Sequence, residues 1–377
     1  MKLPPETAAG LRAGCEIHCP GCAHRRLSAL ESEARKEHWL KQQLSPWQER
    51  FATLRAVQGE DRWGYRDRVR LSARWQDACW QFGLMVRKEL IAIPHCPIHS
   101  ERVRAMLALL ATVLPPGPVF PLAFFIQAMA QVTLVLKTAK LPELGWVDER
   151  FKENLASLAI EGLWLHLHPA AGRRMFAKNG WQLLWGRPYS IDDGGLRYGP
   201  TAFQQVLPAL YRQALAEAEA FLAPIAEDLM IDLYSGGGAS LVRWSKCGAD
   251  AVGVELGGEA VECARHNAPH ALLLRGKCAD RIPQLEAWLD HHAGAAGRRL
   301  LYVNPPRTGL EPEVLAWVVG SLRPERLAYL SCSAGTLRRD LDVLIGSNYR
   351  VERITPYDFF PQTYHVETLV LLREDQG

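Results

Sequence analysis

Residues 229–238 read Leu-Met-Ile-Asp-Leu-Tyr-Ser-Gly-Gly-Gly, a short apolar run that stops at a glycine turn. A run of this length is too short for a helix and fits a strand buried on both faces. The chain then takes helical spacing through about Cys247, and Ala251-Val-Gly-Val-Glu255 is a second strand. Residues 271–274, 300–303, 326–330, 349–354 and 366–372 repeat the strand pattern. Strands separated by helices imply a parallel sheet with helices on both faces. The last strand has no room before it for a crossover helix, so it is expected to run antiparallel. The expected class is α/β, with a carboxyl-terminal, doubly wound, seven-stranded Rossmann-like domain.

In such sheets ligands gather beyond the carboxyl ends of the strands. There, Gly236 to Gly238 would let the backbone approach a ligand closely, and Glu255 is placed to take both hydroxyls of a ribose. The turn lacks the G-x-G-x-x-G spacing that a dinucleotide pyrophosphate needs. S-adenosylmethionine is the better reading. The run Arg326-Leu-Ala-Tyr-Leu-Ser331 delivers Cys332 to the same end of the sheet, just before a helix. A helix N-terminus favours thiolate, so Cys332 is expected to have a lowered pKa and to act as a nucleophile. The competing reading is an inert buried cysteine.

The first half of the chain is of a different character. Residues 1–205 hold 27 Lys and Arg against 19 Asp and Glu, and residues 206–377 hold 17 against 22. Positive charge segregated in this way points to a polyanion bound by the amino-terminal half. In Tyr65-Arg-Asp-Arg-Val-Arg-Leu71, a strand would line Arg66, Arg68 and Arg70 along one face about 6 to 7 Å apart, suited to nucleic-acid phosphates. A solvated sheet face explains that stretch equally well. Residues 80–93, 131–138, 162–168 and 180–185 are further strand candidates, and 28–44 reads as a charged surface helix. Residues 105–136, the most apolar region, contain Pro115, Pro116, Pro118 and Pro121 and read as a break between elements, not a membrane span.

Nine cysteines and the amino-terminal Met-Lys-Leu-Pro-Pro-Glu-Thr, which has no apolar signal core, fit a reducing cytoplasmic setting. Cys15-x3-Cys19-x2-Cys22 on a Pro-Gly loop, with Cys96 in Pro-His-Cys-Pro, could supply the four thiolates of a [4Fe–4S] centre. Zinc remains open, with the same cysteines or with His18, His24, His95 or His99 exchanged in, as does no metal. The spacing also matches radical S-adenosylmethionine proteins, but Cys96 would fill the iron position that their chemistry leaves open.

With these residues in view, the chain resembles the RNA uracil-C5 methyltransferases, which make 5-methyluridine. The likeness runs over nearly the whole length: the cysteine cluster, Phe203-x-Gln205-Val206, Asp232-Leu-Tyr-Ser-Gly, Gly253-Val-Glu255, Asn304-Pro-Pro-Arg-x-Gly309, Ser331-Cys332 with Thr336-Leu-x-x-Asp340, and Asp358-Phe-Phe-Pro361-x-Thr-x-His365-x-Glu367. The cluster cysteines and the lack of an extra amino-terminal β-barrel are similar to the branch that modifies 23S ribosomal RNA. The tRNA branch lacks the cluster. Three departures stand out: Asn304 replaces the usual Asp, Leu207 an Asn, and Ser235 a Cys.

What the resemblance implies is covalent activation, because C5 of uracil is too poor a nucleophile unaided. Cys332 would add to C6, C5 would take the methyl group, and Glu367 would remove the C5 proton. Gln205, Tyr234, Gly236, Gly238, Ala239, Glu255 and Asn304 would contact the cofactor, with Gln205 and Asn304 able to serve the base instead. Phe203 would stack on a flipped base. The expected organisation is a cluster segment and helix over 1–44, a mixed α+β RNA-binding domain over 45–205 and the methyltransferase domain over 206–377. The expected protein is a cytoplasmic monomer that binds 23S rRNA or tRNA and no membrane. A cytosine-C5 methyltransferase and an RNA-binding or redox-sensing protein without turnover are the rival readings.

Overall fold

The computed structural model describes residues 10–172, 174–292 and 297–375. The amino-terminal run read above for a signal core lies outside them. Among the described residues, no helix is long and apolar enough to cross a membrane. The chain divides into two compact units. One comprises residues 1–27, 58–191 and 198–206, and the other 28–57, 192–197 and 207–377.

This division moves helix α1 (Ala29–Gln43) away from the cysteine segment with which the 1–44 expectation grouped it. The physical reason is its apolar face: Leu40 and the following Leu44 are fully buried in the core of the second unit. The helix starts at Ser28 with a capping box, in which the Glu31 N–H donates to Ser28 Oγ at 3.2 Å and the Ser28 N–H to Glu31 Oε2 at 2.9 Å.

The first unit holds a sheet of β1 (Arg68–Gln76), β2 (Cys79–Val86), β3 (Glu89–Ala92), β4 (Leu122–Ala128), β5 (Gln131–Leu136), β6 (Gly162–Leu167) and β7 (Trp181–Gly186) in the order 3-2-1-4-5-6-7. Neighbours run antiparallel except β5 and β6, which the crossover helix α3 (Glu149–Ser157) makes parallel. Helix α2 (Glu101–Val113) lays Val103, Met106, Leu107 and Leu110 on the core with Phe82, Phe125 and Leu134. The single strand expected over 80–93 is a hairpin, turning through Arg87 at φ 55°. The proline-rich stretch read as a break hides β4.

Two-residue strands β8 (Ser190–Ile191) and β9 (Arg197–Tyr198) and helix α4 (Pro208–Leu222) come next. Pro208 opens α4 at a position where a missing N–H costs nothing. The second unit then alternates β10 (Leu229–Leu233), α5 (Ala239–Lys246), β11 (Asp250–Glu255), α6 (Gly258–Asn267), β12 (Leu272–Arg275), α7 (Cys278–His291), β13 (Arg299–Val303), α8 (Pro312–Trp317), β14 (Arg326–Ser331), α9 (Ala334–Gly346), β15 (Tyr349–Tyr357) and β16 (Glu367–Glu374). All seven strands anticipated from the sequence are present, in the order 12-11-10-13-14-16-15. β10, β11, β12, β13 and β14 are parallel, and β16 is antiparallel to both of its neighbours, β14 and β15.

Candidate active site

Chain order reverses at β10, which pairs with β11 on one side and β13 on the other. In open α/β sheets such a switch point is where ligands bind, beyond the carboxyl ends of the strands. Tyr234 leaves β10 there, Asn304 leaves β13 and Cys332 leaves β14. The Asn304 N–H donates to the Leu233 carbonyl at 3.3 Å, closing the gap between the first two.

Glu367 reaches the same edge from the opposite direction. Ser331 of β14 is the register partner of Thr368 of β16, so one step outward the thiol of Cys332 and the carboxylate of Glu367 become neighbours. Only an antiparallel last strand can do this, since a parallel one would start at the far end of the sheet.

Both groups are shifted. Burial, and then the Glu367 carboxylate, push the Cys332 thiol up to about 11, with Arg307 pulling it back. This corrects the expected lowering by the following helix: Ser333 stands at the N-cap position of α9 without a side-chain capping bond, and desolvation and an adjacent anion outweigh the helix terminus. Glu367 is 4% exposed, and burial pushes its carboxyl up to about 7, again opposed by Arg307. Arg307 is the cation common to both. Its place in Asn304-Pro-Pro-Arg307 does not by itself reveal this part.

The loop that carries Asn304 and Arg307 is fastened to α9. Thr336 Oγ1 donates to the Arg307 carbonyl at 3.2 Å, and buried Asp340 accepts from the Leu310 N–H at 2.9 Å and the Tyr329 hydroxyl at 2.7 Å. Gly309 has φ 75°, and a Cβ there would lie 2.6 Å from the Asp340 carboxylate, so only glycine fits. The run Thr336-Leu-x-x-Asp340 thus serves as the anchor of Asn304-Pro-Pro-Arg.

On the β10 side the turn is open. A Cβ on Gly236 would meet nothing within 4 Å, whereas Gly238, at φ 85°, has Ala264 Cα 3.0 Å from where a Cβ would stand. Gly238 therefore packs against α6 while Gly236 leaves its backbone bare to a ligand, just ahead of Ala239 at the start of α5. Glu255 is held by the turn itself, accepting from the Gly236 N–H at 3.0 Å and the Gly257 N–H at 2.6 Å, one on each oxygen. Each oxygen keeps capacity for a further donor, as a ribose diol requires. Tyr234, at φ 61°, donates to Glu311 Oε2 at 3.3 Å.

The remaining candidates lie in the first unit. Phe203 is 61% exposed, with the Arg68 guanidinium 5.0 Å from its ring centroid. The buried Oε1 of Gln205 takes no hydrogen bond from the described residues. Arg66 precedes β1: its N–H donates to the Ile98 carbonyl at 2.8 Å and its own carbonyl accepts from the Ser100 N–H at 3.0 Å. Its charge acts on Cys22 and His99. Arg70 is exposed on β1.

Among the described residues, no three of His, Cys, Asp and Glu converge as metal ligands. The two cysteine segments nevertheless abut, because a Cβ on Gly14 would stand 2.3 Å from the His95 carbonyl. Burial pushes the Cys22 thiol up to about 12, and Cys96, Cys19 and Cys15 add to that rise.

Comparison with known proteins fits this site. Residues 297–375 match the family described as tRNA (Uracil-5-)-methyltransferase. The chain is 30% identical to the 23S rRNA (uracil(1939)-C(5))-methyltransferase RlmD of Pseudomonas putida, over 94% of this chain and 77% of that protein. It is 28% identical to an uncharacterized RNA methyltransferase of Thermosynechococcus vestitus, over 96% and 84%. The crystal structure of the Pyrococcus abyssi tRNA (uracil-54, C5)-methyltransferase in complex with S-adenosyl-L-homocysteine superposes with a TM-score of 0.70 at 20% identity, covering 94% of this chain and 86% of that one.

Proposed function

The chain belongs to the RNA uracil-C5 methyltransferase family, and from that premise we propose that it methylates C5 of one uridine in 23S ribosomal RNA by covalent catalysis. The observation that carries this reading is the β14–β16 register, which sets Cys332 beside Glu367. The Cys332 thiolate bonds to C6 of the base, which makes C5 nucleophilic. S-adenosylmethionine supplies the methyl group that C5 takes. Glu367 then accepts the C5 proton, and the C6–S bond breaks to return the thiolate.

Gly236, Gly238 and Ala239 would hold the cofactor's amino-acid portion, Glu255 its ribose, and Tyr234 the wall of its pocket. Asn304 offers one donor and one acceptor, matching O4 and N3–H of uracil. The unpartnered Oε1 of Gln205 supports a ligand-binding amide, and the exposed ring of Phe203 supports stacking on an unpaired base. Arg68, placed over that ring, acts as part of the platform, while Arg70 remains the phosphate contact. Ribosomal RNA is preferred over tRNA because relatives identical at 25 to 30% over most of the chain bear 23S rRNA names.

Cys15, Cys19, Cys22 and Cys96 are the proposed ligands of a structural [4Fe–4S] centre. The abutting segments support it, and such a centre takes four cysteines.

The test uses transcripts of 23S rRNA and of tRNA with labelled cofactor. Wild type should methylate the ribosomal transcript. Cys332→Ala should give neither product nor covalent complex. Glu367→Gln should lose roughly 10²- to 10⁴-fold in turnover and accumulate a protein–RNA band that survives denaturing electrophoresis. A band from Cys332→Ala, or full turnover by Glu367→Gln, overturns the mechanism. Methylation of the tRNA alone overturns the substrate.

A further inference from the structure

Helix α1 buries a lysine. Its composition is that of a solvent-facing helix, yet Ser32 and Lys36, one turn apart, are 0% and 1% exposed. The Lys36 Nζ donates to Asp358 Oδ1 at 2.6 Å, with neither side chain reaching solvent, and to the Phe360 carbonyl at 3.1 Å. These partners are more than 300 residues away in sequence and lie in the loop between β15 and β16.

That loop ends at Glu367. The Phe360 carbonyl, besides taking Lys36, accepts from Thr363 Oγ1 at 2.9 Å and from the Thr363 N–H at 3.2 Å. Thr363 Oγ1 in turn accepts from the His365 N–H at 3.2 Å, two residues before Glu367. On the other side, the Asp358 N–H donates to the Arg55 carbonyl at 2.8 Å. A chain of hydrogen bonds therefore leads from α1 to the His365 backbone, two residues before β16 begins at Glu367.

Burying a lysine and a carboxylate together gains little stability over an apolar pair of the same volume, because desolvation consumes most of the attraction. What such a pair supplies is direction: an ammonium with three donors fixes a carboxylate and a carbonyl at once. We propose that Lys36 is a positioning residue for methyl transfer, setting the loop at 358–366 and through it the Glu367 carboxylate. It acts through Glu367 and touches neither base nor cofactor. The proposal rests on the reading of Glu367 as the base, so its loss should slow proton removal and spare the earlier addition of Cys332.

Lys36→Met alone would take the ammonium from a buried carboxylate, so the informative protein is the full chain with Lys36→Met and Asp358→Asn together. Its folding is followed by circular dichroism, its activity on the RNA transcript by kcat and KM, and its adduct on a denaturing gel, with Glu367→Gln in parallel. The expected result is a fall in kcat of at least tenfold, an RNA KM within twofold of wild type, and an accumulating protein–RNA band. Thr363→Val, which cuts the same chain without touching a charge, should show this pattern in weaker form. Wild-type turnover by the folded double variant, or a slow enzyme with no band and a raised KM, overturns the role of Lys36. Should the double variant not fold, wild-type turnover by Thr363→Val overturns it equally. If the band is missing from Glu367→Gln too, the base assignment falls, and this proposal falls with it.

Discussion

Each unit contains a thiol that burial has pushed far up, and the two differ in their surroundings. Around Cys22 the next influences after burial are Cys96, Cys19 and Cys15, all acids that would make it harder to ionise, with Arg66 opposing them. Around Cys332 the signs are mixed, with Glu367 raising and Arg307 lowering. A group of like acids is helped to lose its protons by an added cation, as the proposed metal site would supply. A thiol between one anion and one cation can be switched by moving either, which is the situation of a nucleophile.

The largest effect expected from this contrast is metal content. Anaerobically purified protein should carry about four irons and four sulfides per chain, and Cys22→Ala should carry none. Zinc without sulfide would keep the contrast and change the metal, and wild type without any metal would abolish it.

The second effect is on reactivity. In the RNA-free protein, alkylation of Cys332 by iodoacetamide, read on its own peptide by mass spectrometry, should accelerate with pH toward a midpoint near 11. Glu367→Gln removes the neighbouring anion, so the midpoint should fall, and Arg307→Met should raise it. A unit in either direction is about tenfold in rate at pH 8. Opposite shifts, or none, would mean that the thiol is governed by burial alone.

The smallest effect is on stability. The Glu367 carboxyl is raised to about 7, so the folded state holds a proton that the unfolded chain gives up near the ordinary carboxylate value. Its contribution is therefore intact at acid pH and is lost as pH rises through about 7. Glu367→Gln should melt on the order of several degrees higher than wild type at pH 8 and at the same temperature at pH 4. Equal melting at both pH values would show the carboxylate to be relieved by water.

How much of this could be read from the sequence depends on how local each cause is. Period and glycine placement are local, and all seven strands of the second unit were legible, as was the antiparallel last one. Cys332 and Glu367 were singled out through motifs, and the β14–β16 register brings these two residues together. The sign of the Cys332 shift was not legible, because a helix terminus is a local feature whereas its anion comes from a strand that begins 35 residues on. Lys36 looked like one more surface charge, since its partner is more than 300 residues away. β4 was hidden by the prolines that precede it, which end the previous element and leave the strand itself intact.

The position of β16 in the sheet has a consequence for how the protein is made. Its slot lies between β14 and β15, both of which leave the ribosome before it. Until β16 enters, β14 presents an open edge, β15 has no sheet partner, and Cys332 lacks its carboxylate neighbour. The proposed nucleophile thus leaves the ribosome well before the proposed base, and the two meet only on closure of the last gap in the sheet. The assembled site is therefore an outcome of the last strand's insertion.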